Sequence, residues 1–410
     1  MRILITLAWR NLWRRTGRTL LTASGVALGL GFLLVMLGLG DGSHLQMIDA
    51  TVRMGSGHVL LQAPGYQRRR GVEMVVAEST AKRVMTWAQS RPGTAAVLPR
   101  ALVSALLSSA DGASGVSLFG VDPAAEAPMS RFPARVRDGR FLQPADRNAA
   151  VVGSGVARLL KARVGSRVVA MAQGARGSEV RSALFQVVGI LHTGLDEVDQ
   201  SLVLLPLRAA QEFLELQGGV HQVALVLDDQ ARSIARAREA KLAFPELETL
   251  TWAQADPQLE SAIRMDDGGH YLFNGIFFVI IGFMVLSTLL MSVLERRREL
   301  ALLGALGFSP SRRLAMVLVE ALMLAALAIT AGLALGLGVH AYFRSHGLPL
   351  AWFTDRGMET AGVLLDPIMY SYLSAGRIVG SAALVLALTL LLSLVAARHA
   401  ARPVDVNLLK

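Results

Sequence analysis

The chain has 410 residues, 53% of them hydrophobic, and a mean hydropathy of +0.46, which is too apolar for a purely soluble protein and too polar for a channel built only of helices. It contains no cysteine, which excludes disulfides, thiol catalysis and cysteine-ligated metals. The net charge of +10 is carried by residues 1–40, 295–313 and 398–410, which adjoin apolar stretches, and this location argues against a nucleic-acid-binding patch.

Four long apolar stretches are the strongest signal in the sequence. At 1.5 Å per residue, each is long enough to cross a hydrocarbon layer of about 30 Å. The first is longer than the apolar part of a cleaved signal peptide, so we expect it to be retained. The sequence therefore predicts four transmembrane helices, at residues 19–40, 271–294, 314–339 and 378–397.

The basic segments predict the orientation of these helices. Residues 1–40, 295–313 and 398–410 carry net charges of +5, +3 and +2, and with four spans all three segments fall on one side. Positive charge beside membrane spans collects on the cytoplasmic side. We therefore expect both termini, including the 398–410 tail, and the 295–313 loop in the cytoplasm, with residues 41–270 and 340–377 on the opposite side.

Residues 1–18, before the first span, predict a helix that lies along the membrane surface. Polar side chains recur every four residues on one side, and apolar side chains such as Trp9 and Trp13 occupy the other. Tryptophan at the headgroup level and arginine toward lipid phosphate are typical of an interfacial helix in contact with membrane lipid. The alternative is a basic flank without a defined helix.

Residues 41–270 alternate strand-like and helical patterns, which predicts an α+β or α/β domain. The strand-like runs are short and bounded by turn residues; they cover 58–62, 102–107, 116–121, 149–152, 167–172, 184–191, 202–205, 222–227 and 247–252. Helical patterns cover 79–89, 155–161, 207–216 and 229–244. We predict two lobes: about 45–120 with 205–255, and an inserted lobe at 121–204. The fold class is thus an α+β membrane protein with one span before this domain and three after it.

A tight turn is predicted at residues 173–178, between two strand-like runs of the inserted lobe. Its glycines suit a hairpin, and Arg176 is expected at the tip. This arginine is a candidate contact for a soluble partner. The alternative is an ordinary exposed turn.

Small and acidic residues inside the predicted spans indicate how the helices pack. Gly25 and Gly29, and likewise Gly332 and Gly336, are spaced so that a neighbouring helix can approach closely. Glu320, near the cytoplasmic end of the third span, is expected to pair with another group or to reach the membrane interface.

The sequence lacks the motifs of an enzyme active site. It has neither a phosphate-binding GxxxxGK[ST] loop nor a GxSxG nucleophile elbow, and its eight histidines are scattered without the spacing of metal ligands. We therefore predict no catalytic, cofactor-binding or metal-binding residue in this chain, and any energy for transport has to come from elsewhere.

The segment after the second span is the most specific in the sequence. A short amphipathic helix is predicted from about Glu299 to Leu306, and Gly307 is expected to end it. Such a helix can dock in the groove of a partner through its leucines, with flanking charges that set its orientation. The candidate residues for this contact are Glu295, Arg296, Arg298, Glu299, Leu302, Leu303, Leu306 and Gly307.

This segment carries a family resemblance. Residues 295–307, ERRRELALLGALG, resemble a signature of ABC transporter permeases of the macrolide-exporter and lipoprotein-release kind, the MacB/FtsX superfamily. The opening AWRNL at residues 8–12, the segments 153–167 and 186–190, and the LLPL at 204–207 are also similar to that family. The layout of one span followed by three is similar across the whole chain.

The resemblance implies a machine driven by a separate protein. Two such permeases, identical or homologous, pair in the bacterial inner membrane, and two cytoplasmic ATPase subunits bind ATP and magnesium below them. The helix matching residues 299–307 is the coupling helix that senses ATPase closure, and the periplasmic domains then move. This is mechanotransmission, not passage through a pore. The chain departs from macrolide exporters proper because it carries no ATPase domain.

Several functions are compatible with this resemblance. The leading hypothesis is the release of lipoproteins from the membrane to a periplasmic carrier. The alternatives are efflux of an amphipathic molecule with a periplasmic adaptor, and activation of a cell-wall hydrolase without transport. A membrane-anchored receptor would not need the 295–313 segment. If acyl chains are bound between spans one and two of opposite subunits, the candidate lining residues are Met36, Leu39, Phe277 and Met284.

Overall fold

The computed structural model describes residues 2–14, 16–177, 179–306, 308–350, 359–360, 363–364 and 368–400. The chain forms two compact units. The membrane-helix unit comprises Met1–Leu45, Arg264–Phe353 and Pro367–Lys410, and the sheet unit comprises Gln46–Ile263 and Thr354–Asp366. Gly307 and the predicted tail beyond residue 400 lie outside the described residues.

The α-helices of the described segments are numbered here in chain order. They are α1 (Arg2–Arg14), α2 (Thr16–Thr51), α3 (Tyr66–Arg69), α4 (Glu78–Gln89), α5 (Pro123–Glu126), α6 (Ser154–Leu159), α7 (Asp196–Asp199), α8 (Leu207–Phe213), α9 (Ser233–Ala243), α10 (Trp252–Ala255), α11 (Pro257–Glu295), α12 (Arg297–Ala305), α13 (Pro310–His346) and α14 (Ala375–Ala400). A π-helical turn follows α2 at Val52–Ser56, and short 3-10 turns occur at Pro133–Arg135 and Gln230–Arg232.

The strands are numbered in the same way. They are β1 (Val59–Gln62), β2 (Thr94–Ser108), β3 (Ala113–Val121), β4 (Val136–Gly139), β5 (Ala149–Gly153), β6 (Arg167–Gln173), β7 (Val180–Leu191), β8 (Leu202–Pro206), β9 (Gln222–Leu227), β10 (Glu248–Thr251), β11 (Leu348–Pro349), β12 (Glu359–Thr360), β13 (Val363–Leu364) and β14 (Ile368–Met369). All nine predicted strand-like runs of residues 41–270 correspond to strands.

Four helices in the described residues are long and apolar enough to cross a membrane: Thr16–Ser56, Pro257–Glu295, Pro310–His346 and Ala375–Arg398. One lies near the N-terminus and three in the last third of the chain, as predicted. Their bounds follow local chemistry. Pro310 stands at the first turn of α13, where a missing N–H costs nothing, and α13 ends at Gly347, whose φ of +72° suits glycine.

Glycines set the close packing of these helices, as the small-residue spacing predicted. A Cβ atom at Gly332 of α13 would lie 2.9 Å from the backbone oxygen of Ala27 on α2, and one at Gly29 of α2 would lie 2.9 Å from Ile281 of α11. Helix α2 therefore contacts α11 with one face and α13 with another. The buried core of this unit is built from leucine, valine and alanine side chains along these contacts.

One continuous sheet organises the sheet unit. Its strand order is β10-β1-β9-β2-β3-β8-β5-β7-β4, and β6 pairs with both β2 and β7. Most neighbours are antiparallel, but β3 with β8 and β5 with β7 are parallel. Strand β4 was not predicted, because its residues, VRDG, include only one apolar side chain and lie mostly exposed at the edge of the sheet.

The hydrophobic clusters of this unit follow the two predicted segments. The buried members of one cluster come only from residues 59–97 and 220–244, where α4 and α9 pack on β1 and β9. Another draws only on residues 121–204. A third joins both segments through the long central strand β2. The division into two lobes stays a prediction, since the sheet itself runs unbroken through both.

Candidate functional site

The short helix α12 presents an exposed face in residues 295–307, which are called the coupling segment here after the helix that the family resemblance implies. Leu302 is 54% exposed and Leu306, just past the end of the helix, is 78% exposed. Arg298 is exposed on the same side, because residues four apart lie above one another on a helix. The backbone N–H of Leu306 still donates to the carbonyl of Leu302 at 2.9 Å, which extends this face by one residue.

The opposite face of α12 packs against the membrane-helix core. Leu300 is 5% exposed, and Leu303 is half-buried against the same core. This differs from the expectation for Leu303, which was placed among the partner-facing leucines. The reason is helical phase: Leu303 stands three residues after Leu300 and shares its direction. The exposed apolar surface of α12 is therefore Leu302 with Leu306.

Two arginines before and at the start of α2 hold the charged residues of the coupling segment. The guanidinium of Arg18 donates two hydrogen bonds, 2.7 and 2.6 Å long, to the carboxylate of Glu295 at the end of α11. Arg14 of α1 donates to the carboxylate of Glu299 on α12. A forked pair of this kind fixes orientation as well as distance. The sequence analysis did not assign Arg14 and Arg18 to this site.

Arg296 links the coupling segment to α13. Its Nη1 donates to Glu320 at 3.1 Å and its Nε to Glu299 at 3.2 Å. Ser292 of α11 donates to the second oxygen of Glu320 at 3.3 Å. The predicted pairing of Glu320 is thereby confirmed. Arg296 was expected to orient a partner, but its guanidinium is instead paired with the carboxylates of Glu299 and Glu320 in the same chain.

These charges surround a small polar cavity of about 120 Å³. It is lined by Asn11, Thr288 and the six charged residues of the two preceding paragraphs, among others. Partial burial acts to raise the pKa of Glu299, but the hydrogen bonds from Arg14 and Arg296 outweigh it and hold this pKa below its usual range. Glu299 thus stays ionised near neutral pH. The arrangement suits a rigid ionic tie between helices.

The four candidate cargo-lining residues occupy different environments. Met36 of α2 is 37% exposed, whereas Leu39 is buried in the helix core. Phe277 of α11 is half-buried, and its ring lies 5.1 Å from that of Phe32. The side chain of Met284 packs on the backbone of Gly25, and a Cβ added to Gly25 would lie 2.3 Å from the Met284 sulfur. Met36 is the most exposed of the four and Leu39 is buried, so Leu39 is ill placed as a lining residue within one chain.

Arg176 lies in the turn between β6 and β7, as predicted. It is exposed and donates to the side-chain oxygen of Gln217. The turn is held to the end of α8, since the N–H of Ala175 donates to the carbonyl of Leu214 at 2.9 Å. The arginine therefore stands on a supported surface. Its role as a partner contact stays a prediction.

One cluster in the sheet unit contains serine, histidine and aspartate but lacks catalytic geometry. Ser154 Oγ and Asp199 Oδ2 lie 3.1 and 2.9 Å from the same nitrogen of His192, Nδ1, so the ring does not bridge them. Asp199 also accepts from the N–H and hydroxyl of Thr193 at 2.8 Å each. The cluster therefore holds a turn, and a serine relay needs both ring nitrogens.

A buried ion pair was not found by sequence reasoning. Arg100 of β2 and Glu126 of α5 are 0% and 1% exposed and lie 2.6 Å apart. Arg100 also donates to the carbonyl of Gly55 in the π-helical turn after α2. It therefore fixes the backbone where α2 ends. No local pattern around either residue signals the pair.

Family models and known proteins are similar to this chain over both of its units. The model of the MacB-like periplasmic core domain matches residues 19–241, and the model of the FtsX-like permease C-terminal domain matches residues 271–403. Among solved structures, the extracellular domain of the noncanonic ABC-type transporter YknZ from Gram-positive bacteria has a TM-score of 0.35 and 14% identity, covering 48% of this chain and 100% of that one. The periplasmic region of MacB from Actinobacillus actinomycetemcomitans has a TM-score of 0.34 and 13% identity, covering 49% and 91%.

Three relatives illustrate the range of similar proteins. The lipoprotein-releasing system transmembrane protein LolC of Neisseria meningitidis serogroup B is 26% identical over 317 residues, covering 74% of this chain and 72% of that protein. The macrolide export ATP-binding/permease protein MacB of Rhodospirillum rubrum is 27% identical over 400 residues, covering 91% and 58%. The pyoverdine export ATP-binding/permease protein PvdT of Pseudomonas syringae pv. tomato is 24% identical over 397 residues, covering 91% and 57%.

The first family model alone spans more than half of the chain, and the second covers its three C-terminal membrane helices. Both describe permease domains. The chain belongs to the MacB/FtsX family of ABC transporter permeases.

Proposed function

We propose that this permease is the membrane subunit of an ATP-driven machine that releases lipoproteins from the inner membrane. A separate cytoplasmic ATPase binds ATP and magnesium and docks on the exposed face of α12. Two permease copies, or two homologous chains, pair in the membrane with both termini in the cytoplasm. The observation that carries the proposal is the exposed pair Leu302 and Leu306 on a helix that ion pairs fasten to its neighbours.

The ion pairs supply a route for mechanical coupling. A partner that pushes on Leu302 and Leu306 moves α12, and the charged contacts at its start transmit this movement. Arg14 links α12 to α1, Arg296 links it to α13, and Arg18 links the end of α11 to the start of α2. The Arg18–Glu295 and Arg296–Glu320 pairs are partly shielded and resist displacement more than exposed pairs do, whereas Arg14–Glu299 is exposed and contributes less. A displacement of α12 is therefore passed to α1 and α13, and the Arg18–Glu295 pair ties the end of α11 to α2.

We propose lipoprotein release ahead of export because the chain covers a larger share of the LolC relative than of the two exporters. This chain spans 72% of the LolC protein of N. meningitidis, but 58% of the R. rubrum MacB and 57% of the P. syringae PvdT protein. The names of the latter two include an ATP-binding part. The two family models that match this chain describe permease domains.

Docking is tested by substituting the exposed leucines of α12. In Leu302→Asp/Leu306→Asp, two charges replace the apolar anchor, and we expect the partner ATPase to be lost from the purified complex. Leu242→Asp on α9 is the matched control, because Leu242 is 84% exposed in the sheet unit. Retention of the ATPase by the double variant at wild-type stoichiometry contradicts the docking site.

Cargo is tested by a photocrosslinker. Placed at Met36, whose side chain is exposed on α2, it is expected to capture lipid-modified protein in cells. The control position is Val379 on α14, which is 67% exposed. Capture of lipid-modified protein at Met36 but not at Val379 supports lipoprotein release, and capture at neither position, in a complex that hydrolyses ATP, contradicts it.

Export of an amphipathic molecule is the second candidate, because the MacB and PvdT relatives align over 91% of the chain. It predicts that the chain copurifies with a periplasmic adaptor and that its deletion raises sensitivity to amphipathic compounds. Copurification with a cell-wall hydrolase instead indicates regulation without transport.

A further inference from the structure

A cluster of metal-ligand side chains lies where α2 passes α11, far along both helices from the ion pair of Arg18 and Glu295. His44 Nε2 of α2 is 2.7 Å from Asp266 Oδ2 of α11, and His270 Nδ1 is 3.7 Å from the same oxygen. One ligand atom from each of these three residues lies within 4.8 Å of the other two. The proposed function does not use this cluster.

The two helices are built to bring these groups together. Asp266 and His270 are four residues apart and so share one face of α11. Gly40 of α2 makes room for the second imidazole, since a Cβ at this position would lie 2.6 Å from His270 Cε1. The sequence analysis found no histidine pair with ligand spacing because His44 and His270 meet only across two helices.

Carboxylates outside the cluster support its orientation. His44 Nδ1, the nitrogen that faces away from Asp266, is 3.9 Å from Asp267 Oδ1. Asp267 and Asp41 are in turn held by the guanidinium of Arg377 on α14, at 3.9 and 2.9 Å. A carboxylate hydrogen-bonded to the far nitrogen of a ligating histidine fixes the ring and its tautomer, and a shift of about 1 Å would bring Asp267 into that position.

Exposure at the cluster suits a bound ion. The side chain of His44 is 10% exposed, so its position is fixed by packing, whereas that of Asp266 is 58% exposed, so water and ions reach it. Two imidazole nitrogens and one carboxylate oxygen form a donor set for Zn²⁺ and not for Ca²⁺ or Mg²⁺, which prefer oxygen alone. Tetrahedral zinc with ligands at about 2.0–2.1 Å separates them by about 3.3 Å. The separations in the cluster bracket that value.

We propose that His44, Asp266 and His270 bind one Zn²⁺ ion, with water as the fourth ligand. The ion ties α2 to α11 at a point remote from the coupling segment. Its binding is independent of whether the machine carries lipoproteins or small molecules. In the proposed orientation the ion binds on the extracytoplasmic side. It restrains α2 and α11, the two helices that carry the candidate cargo residues.

The test uses the full chain in detergent, stripped with EDTA and titrated with Zn²⁺ in competition with a chromophoric chelator. We expect one tightly bound ion per chain. His44→Ala and His270→Ala should each weaken binding by more than about tenfold, and Asp267→Asn by about tenfold through loss of orientation. His346→Ala is the matched control, because His346 is exposed and hydrogen-bonded only within α13.

A second variant guards against misfolding. His270→Cys replaces one zinc ligand by another and should restore binding that His270→Ala loses. X-ray absorption of the loaded protein should report two nitrogen ligands with oxygen in the remaining positions, and Zn²⁺ should raise the thermal midpoint of the wild type but not of His44→Ala. Absence of stoichiometric binding to the wild type, or equal binding by the wild type, His44→Ala and His270→Ala, overturns the proposal and leaves an ordinary histidine–aspartate hydrogen bond.

Discussion

Glu295, the last residue of α11, accepts two hydrogen bonds from the guanidinium of Arg18, 2.6 and 2.7 Å long. The two residues are 277 positions apart in the chain. The pair joins the start of the first membrane helix to the end of the second. Its side chains are 30% and 20% exposed, which places it between a surface pair and a buried one. It therefore governs geometry more than stability.

Charge reversal tests this pair. Arg18→Glu places two carboxylates side by side, so we expect the ends of α2 and α11 to separate. The stimulation of the ATPase rate by cargo should then be roughly fivefold smaller than in the wild type. The free energy of unfolding should fall by only about 1 kcal/mol, because partly exposed pairs contribute little. ATPase assays on the reconstituted complex, alongside thermal unfolding of the permease, measure both.

The compensating swap is the control for that experiment. Arg18→Glu combined with Glu295→Arg recreates the pair with its charges exchanged and should recover most of the response. A double variant no better than Arg18→Glu alone shows that the individual charges, and not their pairing, matter.

Loss of one member of the buried pair Arg100 and Glu126 should strongly destabilise the sheet unit. Glu126→Ala leaves a guanidinium at 0% exposure without its counter-ion, and we expect a loss of about 3–5 kcal/mol in the free energy of unfolding. Denaturant unfolding of the full chain measures this change, with protease cleavage within residues 46–263 as the signal that the sheet unit has unfolded.

A double variant separates charge burial from packing. Arg100→Met together with Glu126→Ala removes both charges and should be more stable than Glu126→Ala alone. Lys82→Ala, which removes an ion pair whose side chains are 72% and 50% exposed, should change stability by less than about 0.5 kcal/mol. If Glu126→Ala behaves like Lys82→Ala, the buried pair does not hold the end of α2.

Two glycines of α13 should differ sharply in their tolerance of alanine. In Gly332→Ala the added Cβ lies 2.9 Å from the backbone oxygen of Ala27, so α2 and α13 must move apart at a cost of about 1–3 kcal/mol. In Gly338→Ala the added methyl group meets no atom within 4 Å, and the better helix propensity of alanine should leave stability unchanged or raised by up to about 1 kcal/mol. The fraction of protein that stays monodisperse after heating in detergent gives a thermal midpoint for each variant. Equal midpoints for Gly332→Ala and Gly338→Ala contradict the prediction.

The sheet unit should lose stability as pH falls below neutrality. His221 is buried, and burial lowers its pKa below the ordinary value of about 6.5. Its Nδ1 accepts from the N–H of Leu102 at 3.0 Å, and its Nε2 lies 2.9 Å from the carbonyl of Val72, so the neutral ring fits both contacts. Burial also lowers the pKa of His58. The unfolded chain therefore binds more protons than the folded one between the folded pKa and about 6.5.

The sign of the effect follows directly. The contribution of each histidine is fully present above pH 6.5 or so and is lost as pH falls toward the folded pKa, with a limiting slope of about 1.4 kcal/mol per pH unit for one proton. His221→Gln keeps a donor and an acceptor without a titrating ring, and its unfolding midpoint should fall less steeply between pH 7 and 5. If the unfolding midpoints of the variant and the wild type fall equally between pH 7 and 5, His221 does not contribute to the loss of stability.

Much of the fold could be predicted from local composition. The four spans are uninterrupted apolar runs, and the nine strand-like runs of residues 41–270 are apolar segments between turn residues. The exception, β4, is polar and depends on pairing with β7 for its extended form. In the coupling segment, the existence of α12 was predictable from its amphipathic pattern, but the inward direction of Leu303 was not, because it depends on the phase in which α12 meets the helix core.

The amino-acid sequence by itself determined the number of spans, the distribution of positive charge and the presence of a charged segment after the second span, since each depends on residues that are neighbours in the chain. Tertiary structure alone decided which charges are used within the chain, that Arg100 is buried with Glu126, and that His44 meets His270. These contacts join residues far apart in sequence. Their formation depends on how helices and strands pack, and no local pattern encodes that packing.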